Sequence, residues 1–208
     1  MEQEKVIVCN SCMDVNMPPA EEVVLVDEDN RVLGTRQKSD VHGKETPLHR
    51  GFSLFLFDRA GRLLLQQRSH TKKTWPLVWS NSVCGHPALD ESNVAAAERR
   101  LAYELGMRAA HIEEVAPYRY TFVRDGVMEN EICPILVGFA TEEPKPNQQE
   151  VEAIRWVAWQ DFLKEIAAQP GTYSEWCEEE ARVLESHPRF QEMFENRGQH
   201  FNNSHFST

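Results

Sequence analysis

The segment Gly85-His86-Pro87-Ala88-Leu89-Asp90-Glu91-Ser92-Asn93-Val94-Ala95-Ala96-Ala97-Glu98-Arg99-Arg100-Leu101-Ala102-Tyr103-Glu104-Leu105-Gly106 decides how this chain folds. Its second half has the spacing of a helix over Asn93 to Leu105. Ser92 or Asn93 can cap the start and Gly106 can end it, while Val94, Ala97, Leu101 and Leu105 share one apolar stripe. Its first half belongs to a turn, Asn81-Ser82-Val83-Cys84-Gly85-His86-Pro87, that sets a thiol two residues from an imidazole.

Strand signals lie on both sides of this unit. Upstream, Val23 to Val26, a turn at Asp27-Glu28-Asp29-Asn30, and Val32 to Thr35 read as paired strands. Phe52 to Phe57, a turn at Asp58-Arg59-Ala60-Gly61 and Leu63 to Gln67 read as a hairpin. Downstream, Tyr118 to Phe122, Glu131 to Phe139 and Ile154 to Trp159 read as strands. Helices are expected from about Asp161 to Ala168 and from about Ser174 to Glu185. The pattern predicts an α/β sandwich around one mixed sheet. Residues 1–20 read as an extension, 21–187 as the folded domain, and 188–208 as a polar, frayed tail.

The 208 residues and 41% hydrophobic content suit one domain with a proper core. No apolar run approaches the roughly 20 residues of a membrane helix, and the first residues carry no secretory pattern. The odd count of five cysteines predicts reduced thiols in a cytoplasm. Cys9 and Cys12 form a lone Cys-x-x-Cys without a second pair, so they are read as incidental. The net charge of −11 argues against nucleic acid or an anionic membrane as a partner. A monomer or weak dimer acting on a small molecule is expected.

Two constellations carry chemistry. Glu129 and Glu131, two apart on a strand, point to one face. Buried carboxylates so close call for a cation between them. His42, His49 and His86 could join them to make a site suited to Mn²⁺ or Mg²⁺, with Zn²⁺ also able to bind. Arg100 and Glu104 form an i, i+4 pair: either a surface ion pair or a metal carboxylate beside a phosphate-binding guanidinium.

The Gly85–Gly106 text resembles the Nudix box, a loop–helix element that holds a divalent metal against a diphosphate. That pattern expects Arg-Glu-apolar-x-Glu-Glu-x-Gly. Here Arg100 and Tyr103 replace two of its acids and Glu104 alone remains, which puts ordinary Nudix hydrolysis in doubt. The wider text is closer still. Leu48 to Ser53, Lys72 to Pro87, Arg99-Arg100, Tyr103 to Gly106 and Glu129-Asn130-Glu131-Ile132-Cys133-Pro134 resemble the type I isopentenyl diphosphate isomerases, a metal-dependent branch of the Nudix fold. The similarity spans about Glu22 to about Trp176 and leaves both ends uncovered.

The resemblance implies a Nudix-type α/β/α sandwich and a role for each matching residue. Cys84 and Glu131 are the acid–base pair, with Tyr120 hydrogen-bonding the acid. His42, His49, His86, Glu129 and Glu131 hold one metal. Glu104 and the Cys84 carbonyl hold a Mg²⁺ on the diphosphate. Lys38, Arg68, Lys72 and Arg100 surround that diphosphate, and Trp176 covers the hydrocarbon.

Moving an unactivated double bond needs one group that gives a proton and one that takes it, in complementary protonation states. The expectation is that Glu131 delivers the proton and a Cys84 thiolate removes one. Trp79, Trp176 and Phe52 are candidate walls around the resulting tertiary cation. The competing readings are a Nudix pyrophosphohydrolase acting on a nucleoside diphosphate derivative, a Cys84–His86 hydrolase, and a catalytically dead binding module.

Overall fold

The computed structural model describes residues 22–202; the 1–20 extension with Cys9 and Cys12, and residues 203–208, lie outside them. In chain order the strands are β1 (Glu22–Val26), β2 (Val32–Gln37), β3 (His49–Arg50), β4 (Phe52–Phe57), β5 (Arg62–Arg68), β6 (Trp79–Ser80), β7 (Val83–Gly85), β8 (Ala109–Ala116), β9 (Arg119–Arg124), β10 (Val127–Ile132), β11 (Ile135–Ala140) and β12 (Val151–Ala158). The helices are α1 (Asn93–Leu105), α2 (Trp159–Ala168), α3 (Glu175–Ser186), α4 (Pro188–Glu195) and α5 (Arg197–Asn202). This is the expected α/β class, but with two mixed sheets in place of one. The smaller runs β2-β1-β3-β10-β9, and the larger β12-β5-β4-β11-β8 with β6 on β5 and β7 on β4.

Two stretches pass side by side from one sheet to the other. In the smaller sheet β3 runs parallel to β10, pairing His49 with Glu131. In the larger, β4 runs parallel to β11, pairing Ser53 with Ile135. Between them Gly51 N donates to Ile132 O and Ser53 N to Pro134 O. The strand expected from Glu131 to Phe139 therefore divides at Cys133-Pro134. A proline has no N–H to give a ladder, so the chain changes sheet there.

The expected Phe52–Gln67 hairpin also differs from a simple ladder. Its strands pair only at Phe57↔Leu63 and then splay. The 79–85 segment fills the gap, with β6 on β5 and β7 on β4. Ser82 bridges the split: Leu56 N donates to its Oγ at 2.8 Å, and the hydroxyl donates to Leu64 O at 2.6 Å.

Helix α1 forms where its text predicts. Ser92 Oγ accepts from Ala95 N, and Gly106 closes the helix in the left-handed conformation at φ 59°. Ala97, Leu101 and Leu105 are buried against β4, β7 and β8. Strand β8, which the reading of the sequence passed over, supplies the far edge of the larger sheet.

The polar tail expected from residue 188 is a correction. Pro188 starts α4, whose Phe190 and Met193 are 2% and 1% exposed and join the main core with Phe57 and Trp159. Phe190, Met193 and Phe194 make that contact among five other residues, so the stretch reads as polar although one face is buried. Phe190→Ala should therefore lower unfolding free energy by about 3 kcal/mol or more. Denaturant titration measures it, and an unchanged midpoint would restore the frayed tail.

Candidate active site

The seam between the two sheets opens into a cavity of about 410 Å³. Its walls include Lys38, Arg68, Lys72 and Lys73 on the cationic side, and Cys84, Tyr120 and Trp176 together with His42, His86, Glu129 and Glu131.

Each of these side chains owes its position to a local feature. Glu129 and Glu131 share the inner face of β10, each 6% exposed, as their spacing of two dictates. Tyr120 is the direct cross-strand partner of Glu131. His49 faces Glu131 from β3, and His86 follows β7. Glu131 Oε1 lies 3.3 Å from His49 Nε2 and 3.1 Å from His86 Nε2, while Glu129 Oε2 lies 2.9 Å from His42 Nε2. Two backbone carbonyls hold imidazoles from behind: His49 Nδ1 is 2.9 Å from Pro47 O and His42 Nδ1 is 3.4 Å from Lys38 O. Such contacts leave each Nε2 facing the centre as a lone-pair donor.

Ligand atoms of His42, His49, His86 and Glu131 all lie within 4.8 Å of one another. The Nε2 atoms of His42 and His49 and Oε2 of Glu129 are buried without a well-directed hydrogen bond. Buried polar atoms in that condition are expensive, and imidazole with carboxylate is a donor set for a divalent cation. The residues therefore fit a metal. Four of the five expected ligands converge directly, and Glu129 stands beside them through His42.

Charge states follow from burial and neighbours. Burial alone would lower His49 and raise Glu131. Their mutual attraction at 3.3 Å, with His86 also acting on Glu131, reverses both: His49 is raised and Glu131 is held well below the usual carboxylate range. Burial pulls His86 down to about 4, so it is neutral and able to ligate. Burial, followed by the charge of Glu180, pushes the Cys84 thiol up to about 12. Without a bound ion, Cys84 is thus a thiol and Glu131 a carboxylate. The two are in complementary states, but in the sense opposite to the one expected.

The cationic residues divide. Lys38, Arg68 and Lys72 line the cavity; Lys72 is lowered by burial and by Arg68 and Lys38. Arg100 does not line it. Its side chain is buried on α1, with Nε 3.0 Å from Glu104 Oε1 and Nη2 3.0 Å from Glu150 Oε2. Glu104 also accepts from Gln66 at 3.2 Å, and Glu150 pairs with Lys72. The surface-pair reading of Arg100–Glu104 fails, because both are at most 2% exposed.

Of the three expected aromatic walls, Trp176 alone lines the cavity. It stacks on Tyr120 at 5.7 Å and 18°, and donates from Nε1 to Asn81 Oδ1. Phe52 is packed in the core beneath α1, and the Trp79 ring lies under Arg155.

Three positions carry no signal that distinguishes them in sequence. Asn81 Oδ1 accepts from Cys84 Sγ at 3.2 Å as well as from Trp176. Glu150 joins Lys72 to Arg100 from a loop. Gly51 leaves room for Glu131: a Cβ there would lie 2.7 Å from Glu131 Cδ.

Comparison with known proteins gives a consistent picture. The NUDIX domain model matches residues 47–177. An isopentenyl-diphosphate Delta-isomerase of Saccharopolyspora erythraea is 43% identical over 79% of this chain and 86% of its own length. One from Frankia alni is 45% identical over 75% of this chain and 81% of its own. Among solved structures, a Deinococcus radiodurans protein superposes with a TM-score of 0.60 at 20% identity. It covers 78% of this chain and 98% of its own, which is a likeness of fold.

Two substitutions test the metal site. His49→Ala removes a ligand, and Gly51→Ala drives Glu131 aside while meeting only the end of a flexible side chain. Each should leave a folded protein with less bound divalent metal by elemental analysis. Unchanged metal content in both would dismiss the site.

Proposed function

Because the chain belongs to the isopentenyl-diphosphate Delta-isomerase family of NUDIX-domain proteins, we propose that it converts isopentenyl diphosphate to dimethylallyl diphosphate by protonation and deprotonation through a tertiary carbocation. One observation carries this reading. A single cavity brings the thiol of Cys84 and the carboxylate of Glu131 together with an aromatic wall and a cluster of cations.

Lys38, Arg68 and Lys72 bind the diphosphate, and their local charge overcomes the repulsion of a protein with net charge −11. Arg100 acts from behind them, holding Glu104 and Glu150. Trp176 and Tyr120 cover the hydrocarbon. Their π faces favour a cation and keep water from capturing it, a contact worth about 2 kcal/mol when desolvated.

With Cys84 as thiol and Glu131 as carboxylate, the thiol gives its proton to the terminal alkene carbon. The carboxylate takes one from the methylene next to the cation. Exchange with water then resets both groups. Tyr120, beside Glu131 and itself kept protonated by burial and by that carboxylate, holds the carboxylate in place. His42, His49, His86, Glu129 and Glu131 would hold a Mn²⁺ or Mg²⁺, and Zn²⁺ suits the imidazoles too. Glu104, which now accepts from Arg100 and Gln66, and the Cys84 carbonyl are the groups that would hold a Mg²⁺ to neutralise the diphosphate. Such ions supply positive charge that neutralises carboxylate and diphosphate. Hydrolysis is the weaker reading, since the remaining α1 carboxylate is bound by Arg100.

Purified protein with isopentenyl diphosphate and Mg²⁺ in D₂O should give dimethylallyl diphosphate carrying deuterium, read by NMR. Release of phosphate in place of isomerisation would overturn the reading. Cys84→Ala and Glu131→Gln should each reduce turnover by about 100-fold or more with an unchanged circular-dichroism spectrum. Near-normal turnover in either removes that residue from the chemistry.

A further inference from the structure

Trp75 takes no part in the proton transfers above, yet the chain bends against its own preference to bury it. The residue lies in the loop between β5 and β6, at φ 47° and 2% exposed. The left-handed region is unfavourable for a bulky L residue and persists only where surrounding contacts hold it. Three contacts do so here. The indole Nε1 donates to Glu175 Oε2 at 2.6 Å. The ring meets Trp176 edge-on, with centroids 5.2 Å apart at 67°. The Arg124 guanidinium lies 5.9 Å from the centre of the Trp75 ring, and Arg124 Nη2 pairs with Glu175 Oε1 at 3.1 Å.

These contacts tie together three walls of the cavity. The loop of Trp75 carries Lys72 and Thr74 into it. Arg68 donates to Thr74 O and Oγ1 while lying 5.8 Å from the centre of the Trp176 ring. Arg124 shares the inner face of β9 with Tyr120 and Phe122, and the rings of Phe122, Tyr120 and Trp176 form one stack. Glu175 opens α3 directly before Trp176. Its carboxylate gives one oxygen to each partner, so a single side chain joins the loop to the strand. Resting on the isomerase reading, we propose that Arg124, Glu175 and Trp75 form a clamp that positions Trp176 over the hydrocarbon. None of the three lines the cavity, so they act through the ring and not on the substrate. With the clamp closed the ring cannot swing back toward the loop. Its π face then stays against the cation and keeps water out.

The test compares Glu175→Leu, Glu175→Gln and Trp75→Phe in the full chain, with isopentenyl diphosphate and Mg²⁺. A freed ring admits water, whose oxygen bonds to the tertiary cation carbon while one of its protons leaves to solvent. The product is then 3-hydroxy-3-methylbutyl diphosphate in place of the alkene. Glu175→Leu should raise the share of this alcohol about 10-fold or more, read by NMR and by uptake of ¹⁸O from labelled water. It should lower kcat about 10-fold, the scale of a displaced group beside the reacting atoms. KM should stay within about twofold, because Lys38, Arg68 and Lys72 are untouched. Glu175→Gln keeps an acceptor for the indole and should recover most of kcat. Trp75→Phe loses the donor and should resemble Glu175→Leu. Arg124 and Glu175 are both partly exposed, so parting them leaves no buried charge and the thermal midpoint should change little.

Independently of turnover, hydroxyl-radical oxidation of Trp176, located by peptide mass spectrometry, should rise in Glu175→Leu and return toward wild type in Glu175→Gln. Wild-type oxidation in Glu175→Leu would overturn the clamp. So would greater oxidation with wild-type kcat and product share, a kcat loss that tracks a lowered thermal midpoint, or a Glu175→Gln variant as impaired as Glu175→Leu. If the wild type does not isomerise at all, the proposed function fails, and the oxidation of Trp176 alone still decides whether the clamp holds the ring.

Discussion

The hydroxyl of Ser82 holds the arrangement on which the site depends. Strands β4 and β5 begin as a tight hairpin and then part. A splayed pair leaves N–H and C=O groups facing each other across a gap too wide for direct bonds, and buried backbone groups cannot stay unpaired. Ser82 accepts from Leu56 N and donates to Leu64 O, so one side chain serves both strands. Asn81 adds a bond to Leu54 O. The segment inserted there continues as β7, which carries Cys84 and leads through His86 into α1. A hairpin zipped along its whole length would leave no place for the thiol or the helix.

A second constraint comes from the seam where two parallel pairs cross between sheets. His49 and Glu131 are register partners on one side of it, and Ser53 and Ile135 on the other. The chain needs a residue without a side chain at Gly51 and one without an N–H at Pro134 to make the change of sheet. Polar side chains converge at such a seam because the ladder is interrupted and backbone no longer fills the space. The acidic protein can hold these groups in its interior because each sits opposite a partner: Glu131 between two imidazoles, and Glu104 and Glu150 around Arg100.

Much of this was legible from residue order. The cap-to-cap extent of α1, the shared face of Glu129 and Glu131, and the grouping of His42, His49 and His86 follow from periodicity and chemical type. Three things were not. The Glu131–Phe139 run is apolar enough to read as one strand, and only pairing shows the break at Pro134. Phe190, Met193 and Phe194 stand among polar neighbours and do not mark α4 as a core helix until the groove beside Trp159 is known. Glu150 and Glu180 look like any other acids, Glu180 standing in the run Glu178-Glu179-Glu180, because burial rather than residue type separates them.

The altered helix α1 explains why the carboxylates expected of a metal-binding Nudix box are not gathered there. Arg100 occupies one acidic position and Tyr103 another, and the guanidinium lies over the tyrosine ring at 5.2 Å. A fixed cation now stands among these carboxylates. Removing one partner from such a buried network leaves an uncompensated charge, so Arg100, Glu104, Glu150 and Lys72 must be kept together. A water-activating metal at α1 would need several free carboxylates, and Glu104 is already engaged. The histidine-lined pocket beside Cys84 has the reverse character: a neutral His86, an ionised Glu131, and buried donor atoms without well-made bonds. With two acids of the helix replaced and Glu104 engaged, the buried donor atoms without partners gather at the seam, beside Cys84 and Glu131.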